Sequence, residues 1–302
     1  MKQFILSSLF TIFVLCNPLN ADTINCNGLT RTYTIHIPKY YNKNKTVALL
    51  IALHGAGGNG KQMERFTRFD PIADRDTAIV IYPDGLYKHW NDGRNAADIK
   101  SQQEHVDDIG FISALINKIE NDYNINKKKI YVTGISNGGM MCYALTCTLS
   151  EKISAIATVV STIPANVYQN CKPTKPIPLP IMNGVDDPLI PWNGGELIMR
   201  GKNHGEIIST DSTVSFWVKN NKCSSTPSEV IKKDDDPKDA TSVIIYHYSS
   251  STNLSADVIL YKIFGGGHTW PGGSQYLPKF IIGNVSGEFD ASETIWKFFK
   301  EQ

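Results

Sequence analysis

The chain has 302 residues, 41% of them hydrophobic, enough to bury one large α/β domain or two modest ones. Its formal charge is only +1, and Lys2 is the sole charge in the first twenty-one residues, so a chain trimmed there is neutral. With no basic field to hold a polyanion, nucleic acid is excluded as the expected partner.

At the N-terminus, Lys2 is followed by an apolar run from Phe4 to Cys16 and then by "NPLNA". A positive start, a short apolar core and a small final residue predict a secretory signal peptide over 1–21, cut after Ala21. The run is shorter than the roughly 20 residues a membrane-spanning helix needs, so no stable membrane insertion is expected. A buried helix and a lipid anchor on Cys16 are the alternatives. Bulky Leu15 disfavours the anchor, which wants a small residue there. Cys26, Cys142, Cys147, Cys171 and Cys223 remain after the leader. An exported chain can form disulfides, and an odd number leaves at least one thiol free. No Cys-x-x-Cys pair occurs, so a cysteine-rich zinc site is not expected, and no other metal site is read from the sequence.

Residues 22–302 contain no repeat and no long linker, which predicts a single catalytic domain. "TYTIHIP" (Thr32–Pro38) alternates with period two and suits an edge strand. "VALLIALHG" (Val47–Gly55) and "TAIVIYPDG" (Thr77–Gly85) are continuous apolar runs, the pattern of strands buried on both faces. Between Asp107 and Ile125, isoleucines and Leu115 recur at spacings of three and four, which predicts an amphipathic helix. Asp107 and Asp108 at its head read as structural caps. "KIYVTGIS" (Lys129–Ser136), "ISAIATVVS" (Ile153–Ser161), "IPLPIMNG" (Ile177–Gly184) and "DVILYKIFGGGH" (Asp257–His268) follow as strands. "ASETIWKFFKE" closes the chain as a helix capped by Asp290 or Ser292. The polar stretch from Lys222 to Ala240, ending in "KKDDDPKDA", reads as a solvated surface loop. Strands alternating with helices predict an α/β fold with a mostly parallel, doubly wound sheet. Ligands then bind beyond the carboxyl ends of the strands.

Two loops carry competing chemistry. "LHGAGGNGK" (Leu53–Lys61) nearly matches a phosphate-cradling loop, but Gln62 stands where Ser or Thr should hold magnesium. It also begins His-Gly, as oxyanion loops of serine esterases do. Gly134-x-Ser136-x-Gly138 follows a strand and opens a helix, the context of a nucleophile elbow. Glycines two before and two after let the turn pass its neighbours and lift the serine hydroxyl clear. A serine nucleophile needs a base, and the base an orienting acid, later in the chain. Only His204, His247 and His268 follow Ser136. His247 falls in an alternating run as a strand-face residue, and His204 in a polar loop. His268 follows a strand directly, behind three glycines, and is the chosen base. Asp186 and Asp187 in "NGVDDPLIP" compete as the acid. Pro188 biases Asp187 to an extended backbone and favours it. Asp186 is then a solvated turn carboxylate.

The motifs "LHGAGGN", "WNDGR", "VDDIGF", "GISNGGMM", "NGVDDPLIP", "GGGHTWPGG" and "IWKFF" stand in one order from about Arg31 to Phe299. Together they resemble the secreted polyhydroxybutyrate depolymerase-like esterases, α/β-hydrolases related to feruloyl and acetyl-xylan esterases. The resemblance implies Ser136 as nucleophile, Asp187 as acid and His268 as base. It implies an oxyanion hole from the backbone N–H groups of Ala56 and Asn137. The reaction would be carboxylic-ester hydrolysis through an acyl-enzyme, on feruloyl, acetyl or short hydroxyalkanoate esters, by a monomer without cofactor. Trp90, Trp192 and Trp270 lie on loops at strand ends, where they could wall the substrate pocket or simply pack beneath the loops. An acyltransferase would share the acyl-enzyme, and a carbohydrate- or polymer-binding module is the reading from another class. Within this fold, Cys147 near the far end of the elbow helix and Cys171 after the next strand fall at the same end of the sheet, so a disulfide is expected between them. Cys142 reads as a core thiol, and Cys223 as either free or paired with Cys26.

Overall fold

The computed structural model describes residues 21–199, 201–235, 237–251 and 256–302. All of the expected leader but Ala21 lies outside the described residues. In chain order the strands are β1 (Asp22–Cys26), β2 (Leu29–His36), β3 (Val47–Leu53), β4 (Ala78–Pro83), β5 (Ile125–Ile135) and β6 (Ala155–Val159). They continue with β7 (Leu179–Gly184), β8 (Gly195–Met199), β9 (Lys202–Ile207), β10 (Glu229–Lys233), β11 (Ser242–Tyr248) and β12 (Val258–Phe264). Ten of these form one sheet in the order β1-β2-β4-β3-β5-β6-β7-β12-β11-β10, and β8 pairs with β9 separately. From β4 to β12 every neighbouring pair is parallel, and antiparallel strands finish both edges. This is the mostly parallel α/β sheet that the alternation of elements predicts, and it agrees with the α/β-hydrolase fold that the resemblance implies.

The continuous apolar runs are explained by burial on both faces. In β3, Val47, Leu49, Ile51 and Leu53 enter one core cluster, with Phe111, Leu115 and Leu145 from the helices Asp108–Asp122 and Asn137–Leu149. Leu50 and Ala52 point the other way, to Met63, Phe69, Ile72 and Phe299 of the helices Gly60–Thr67, Phe69–Asp76 and Ala291–Lys300. A strand alternates its side chains between faces, so both faces must be apolar here. Truncating Leu49 or Leu50 to alanine would open a cavity at a cost of about 2–5 kcal/mol.

Several boundaries differ from the sequence pattern. The amphipathic helix stops at Asp122, and Ile125 already belongs to β5. The polar stretch Lys222–Ala240 contains β10, an exposed edge strand paired with β11, so it is not wholly a loop. Charged, half-solvated strands at a sheet edge resist further pairing, and that composition hides them among loops. The segment around His204 is also a strand, β9 of the small hairpin. Asp290 rather than Ser292 caps the last helix, accepting the N–H groups of Ser292 at 2.9 Å and Glu293 at 3.1 Å. Asp107 caps its helix as expected, but Asp108 does something else: it is buried against Arg31 at 2.6 Å. Cys147 and Cys171 are bonded, with Cα atoms 4.9 Å apart, while Cys26, Cys142 and Cys223 are free thiols.

Candidate active site

Strand β5 ends at Ile135, and the helix Asn137–Leu149 starts two residues later. Ser136 makes that turn alone, with φ 55° and ψ −122°. A non-glycine residue there is strained, and such strain concentrates at functional positions. The flanking glycines are required by contact. A Cβ on Gly134 would run into the Gly138 carbonyl, and one on Gly138 into the carbonyls of Leu53 and His54. The Ser136 N–H is held by Val159 O at 3.0 Å, and its carbonyl accepts Met140 N–H at 2.9 Å.

The acid and base of the expected triad meet. Asp187 follows β7, and His268 follows β12, its parallel neighbour. His268 Nδ1 lies 2.8 Å from Asp187 Oδ2, and the side chains are 5% and 1% exposed. The other oxygen, Oδ1, accepts the N–H groups of Leu189 at 2.7 Å and Ile190 at 2.9 Å. The carboxylate is therefore fixed before it meets the ring. Asp186 instead accepts Gly265 N–H at 2.8 Å and shapes the glycine loop that carries His268. Tyr276 OH donates to His268 O at 2.9 Å. Among the described residues, no hydrogen bond joins Ser136 to His268. Serine–histidine bonds are often long in ligand-free sites.

The loop after β3 sits beside the elbow: a Cβ on Gly55 would stand 3.6 Å from Ser136 Cβ. His54 is buried, with Nδ1 2.8 Å from Gly55 O, while Nε2 accepts Gly85 N–H at 2.9 Å. Those two bonds specify a neutral imidazole with its proton on Nδ1, and burial holds its pKa below the usual value. Gly57 N–H goes to Lys88 O at 2.8 Å, while among the described residues the N–H groups of Ala56 and Asn137 have no acceptor. The helix does begin at Gly60, so a strand–loop–helix context alone would admit a phosphate. Lys61 is nevertheless turned to Glu64 at 2.8 Å, and Gln62 offers no metal-binding hydroxyl.

The family model described as phospholipase/carboxylesterase matches residues 40–200, more than half of the chain and inclusive of the loop after β3, the Ser136 turn and Asp187. The chain belongs to this phospholipase/carboxylesterase family. A Nocardia uniformis subsp. tsuyamanensis protein, NocK, named provisionally as an esterase, is 25% identical over 282 residues, covering 90% of this chain and 79% of its own. A protein of Aspergillus oryzae named provisionally as feruloyl esterase C is 28% identical over 211 residues, 64% of this chain and 73% of its own. Among solved structures, acetyl xylan esterase from Aspergillus awamori superposes with a TM-score of 0.56 at 16% identity, covering 83% of this chain and 94% of that one. At that identity the superposition speaks for the fold alone. The chain is thus a carboxylesterase-type α/β-hydrolase.

Within this carboxylesterase-family scaffold the tryptophans divide. Trp90 and Trp270 are fully buried, so neither presents a face to a substrate pocket. Each indole N–H is spent internally, Trp90 on His54 O at 2.9 Å and Trp270 on Ser292 Oγ at 3.1 Å. They pack beneath the loops, the alternative left open by the sequence. Trp192 is half-buried, with Nε1 3.2 Å from Asp211 Oδ2 and Lys262 Nζ 4.6 Å from its ring. A groove of about 720 Å³ runs past Arg31, His36, Asp70 and Tyr87 at the β2 edge, and Ser136, Asp187 and His268 do not line it.

Sequence reasoning missed Asp92, Arg94 and Gln102. Asp92 is fully buried, and Asn137 Nδ2 donates to it. Arg94 Nε pairs with it at 2.9 Å, and Gln102 Nε2 donates at 3.0 Å. The available signal was "WNDGR" itself, an adjoining acid and base beside a tryptophan in a loop at a strand end.

Proposed function

We propose that this esterase hydrolyses carboxylic esters through an acyl-enzyme on Ser136. His268 takes the serine proton as Oγ attacks the ester carbonyl, and Asp187 stabilises the imidazolium. The N–H groups of Ala56 and Asn137 receive the oxyanion. His268 then protonates the leaving alcohol, and water repeats the sequence. The observation that carries this reading is the buried His268–Asp187 bond at 2.8 Å, at the same carboxyl end of the parallel strands as the strained Ser136 turn. The substrates we propose are feruloyl or acetyl esters of sugars, or short hydroxyalkanoate esters, with Trp192 as the remaining candidate aromatic wall. The feruloyl esterase name of one relative supports that range. The mature enzyme is proposed to be residues 22–302, exported after cleavage of the leader, and the Cys147–Cys171 bond supports an oxidising compartment.

The test is a serine-directed phosphonate on purified mature protein, with peptide mapping and a panel of aryl, feruloyl, acetyl and hydroxybutyryl esters. Labelling of Ser136 with loss of esterase activity is expected. Ser136→Ala and His268→Ala should each lose several orders of magnitude in rate, and the double variant little more, because such residues act as a unit. An active Ser136→Ala, or labelling of another serine, overturns the reading.

A further inference from the structure

The elbow is strained on one side of a clamp that the triad does not explain. Ser136 is held in its unusual backbone geometry only if both flanks are fixed. The preceding flank is β5, locked to β6 by the pairs Gly134–Thr158 and Ile135–Val159. The following flank is the Asn137 side chain, buried beneath the loop 90–94. Its Oδ1 accepts Trp90 N–H at 2.8 Å, and its Nδ2 donates to Trp90 O at 3.1 Å and to Asp92 Oδ2 at 2.5 Å. Trp90 also reaches the other wall of the oxyanion site through its indole bond to His54 O. One loop therefore grips the residues that lead into both oxyanion donors.

Asp92 is the fixed point of that loop. Its carboxylate collects Asn137 Nδ2, Arg94 N–H, Arg94 Nε and Gln102 Nε2. Gln102 Oε1 in turn accepts Ala96 N–H at 2.7 Å. Arg94 is packed from above by Gly205 of β9, where a Cβ would meet Arg94 Cβ at 2.8 Å. All four donors point at one carboxylate, so no neutral side chain of the same shape can replace it. An asparagine would set its own N–H₂ against at least one of them.

We propose that Asp92 is a positioning residue for the oxyanion hole, aiming the Asn137 N–H through the Asn137 side chain. The proposal rests on the esterase reading above. It differs in sign from a purely electrostatic role. A carboxylate near a developing oxyanion opposes it, so removing the charge and leaving Arg94 unbalanced would raise the rate if charge were all that mattered. Positioning predicts the reverse, because a donor swung off its axis stops stabilising the transition state while the ground state scarcely notices.

The experiment compares Asp92→Asn, Asn137→Ala and the double variant with the parent, on a soluble aryl ester, with active sites counted by phosphonate titration. Loss of an oxyanion donor costs about 100- to 1000-fold in kcat, so a misaimed one should cost about 10- to 100-fold per titrated site. KM is expected to change less than about threefold, since ground-state binding is untouched. The double variant should be no slower than the slower single one, because both act through the same N–H. Should Asp92→Asn fail to fold, Asp92→Asn/Arg94→Gln removes both buried charges and carries the same expectations. Unchanged or raised kcat per titrated site, or losses that multiply in the double variant, overturns the proposal. Phosphonate labelling of Ser136 in every variant keeps that outcome separate from a failure of the serine mechanism itself.

Discussion

Replacing Asp187 by asparagine tests the site most sharply, because the structure leaves the amide no good orientation. Asp187 Oδ1 accepts two backbone N–H groups, from Leu189 and Ile190, and Oδ2 faces His268 Nδ1. If the asparagine keeps its oxygen on the backbone pair, its N–H₂ faces Nδ1 and donates to it. The ring proton then moves to Nε2, the nitrogen that takes the serine proton in the proposed mechanism. If the amide flips, its oxygen faces the ring correctly, but its N–H₂ meets two backbone donors, the buried Ile190 N–H and the part-buried Leu189 N–H, and a buried unsatisfied group costs about 1–3 kcal/mol. The first orientation wins, and it holds the wrong tautomer. Wrong-tautomer substitutions of this kind cost about 10⁴-fold in kcat, or about 5.5 kcal/mol of barrier. Asp186→Asn is the control, since Asp186 carries a single backbone bond and its replacement keeps an acceptor for Gly265 N–H. It should lose less than about tenfold, within the cost of one weakened hydrogen bond. Initial rates on an aryl ester, normalised to titrated sites, decide between them. A reversed ranking, or an Asp187→Asn variant within tenfold of the parent, would refute the assignment.

Two stability predictions accompany it. Cys147→Ser/Cys171→Ser should lower unfolding stability by about 3 kcal/mol on the chain-entropy estimate for a loop closed across 24 residues, with kcat unchanged. Urea unfolding checks this, and peptide mapping of the unreduced protein should recover the two cysteines as one bridged peptide. His54 should make the fold acid-sensitive: burial lowers its folded pKa, so the unfolded chain binds more protons below about pH 6.5. Its contribution is complete above that pH and is lost as pH falls toward the folded pKa; urea midpoints from pH 8 to pH 5 should therefore fall more steeply for the parent than for His54→Asn, and parallel curves would refute it.

How far the sequence could be read depends on how each residue spends its polar groups. The central strands were legible because burial on both faces forces an unbroken apolar run, as in Val47–Leu53. The elbow was legible because Gly134 and Gly138 have no steric alternative. The β8–β9 hairpin and β10 were not, since short exposed strands carry charges and read as loops. The tryptophans were ambiguous for a different reason. A tryptophan at a strand end serves equally as pocket wall or as brace, and only the partner of its indole N–H separates the two. For Trp90 that partner is the backbone oxygen of His54, thirty-six positions away. Asp108 illustrates the same limit. A carboxylate heading a helix usually caps it, but here Arg31 and Asn91 N–H, distant in sequence, claim it first.

A His–Asp contact does not by itself define the site, and the chain contains its own comparison. His247 Nε2 lies 2.7 Å from Asp257 Oδ2, slightly closer than His268 lies to Asp187. That second pair sits where β12 begins, at the opposite end of the parallel strands from Ser136. Its side chains are 30% and 27% exposed, so water screens the pair and competes for both partners. Asp187 and His268 are withdrawn from water, and two backbone N–H groups hold the carboxylate. A buried carboxylate fixed in this way orients the ring without reorganising when charge develops on it, which is what a general base needs in a low-dielectric site. The topology favours this pair for the proposed site: the carboxyl ends of the parallel strands β5, β7 and β12 lie at one end of the sheet, where Ser136, Asp187 and His268 follow them.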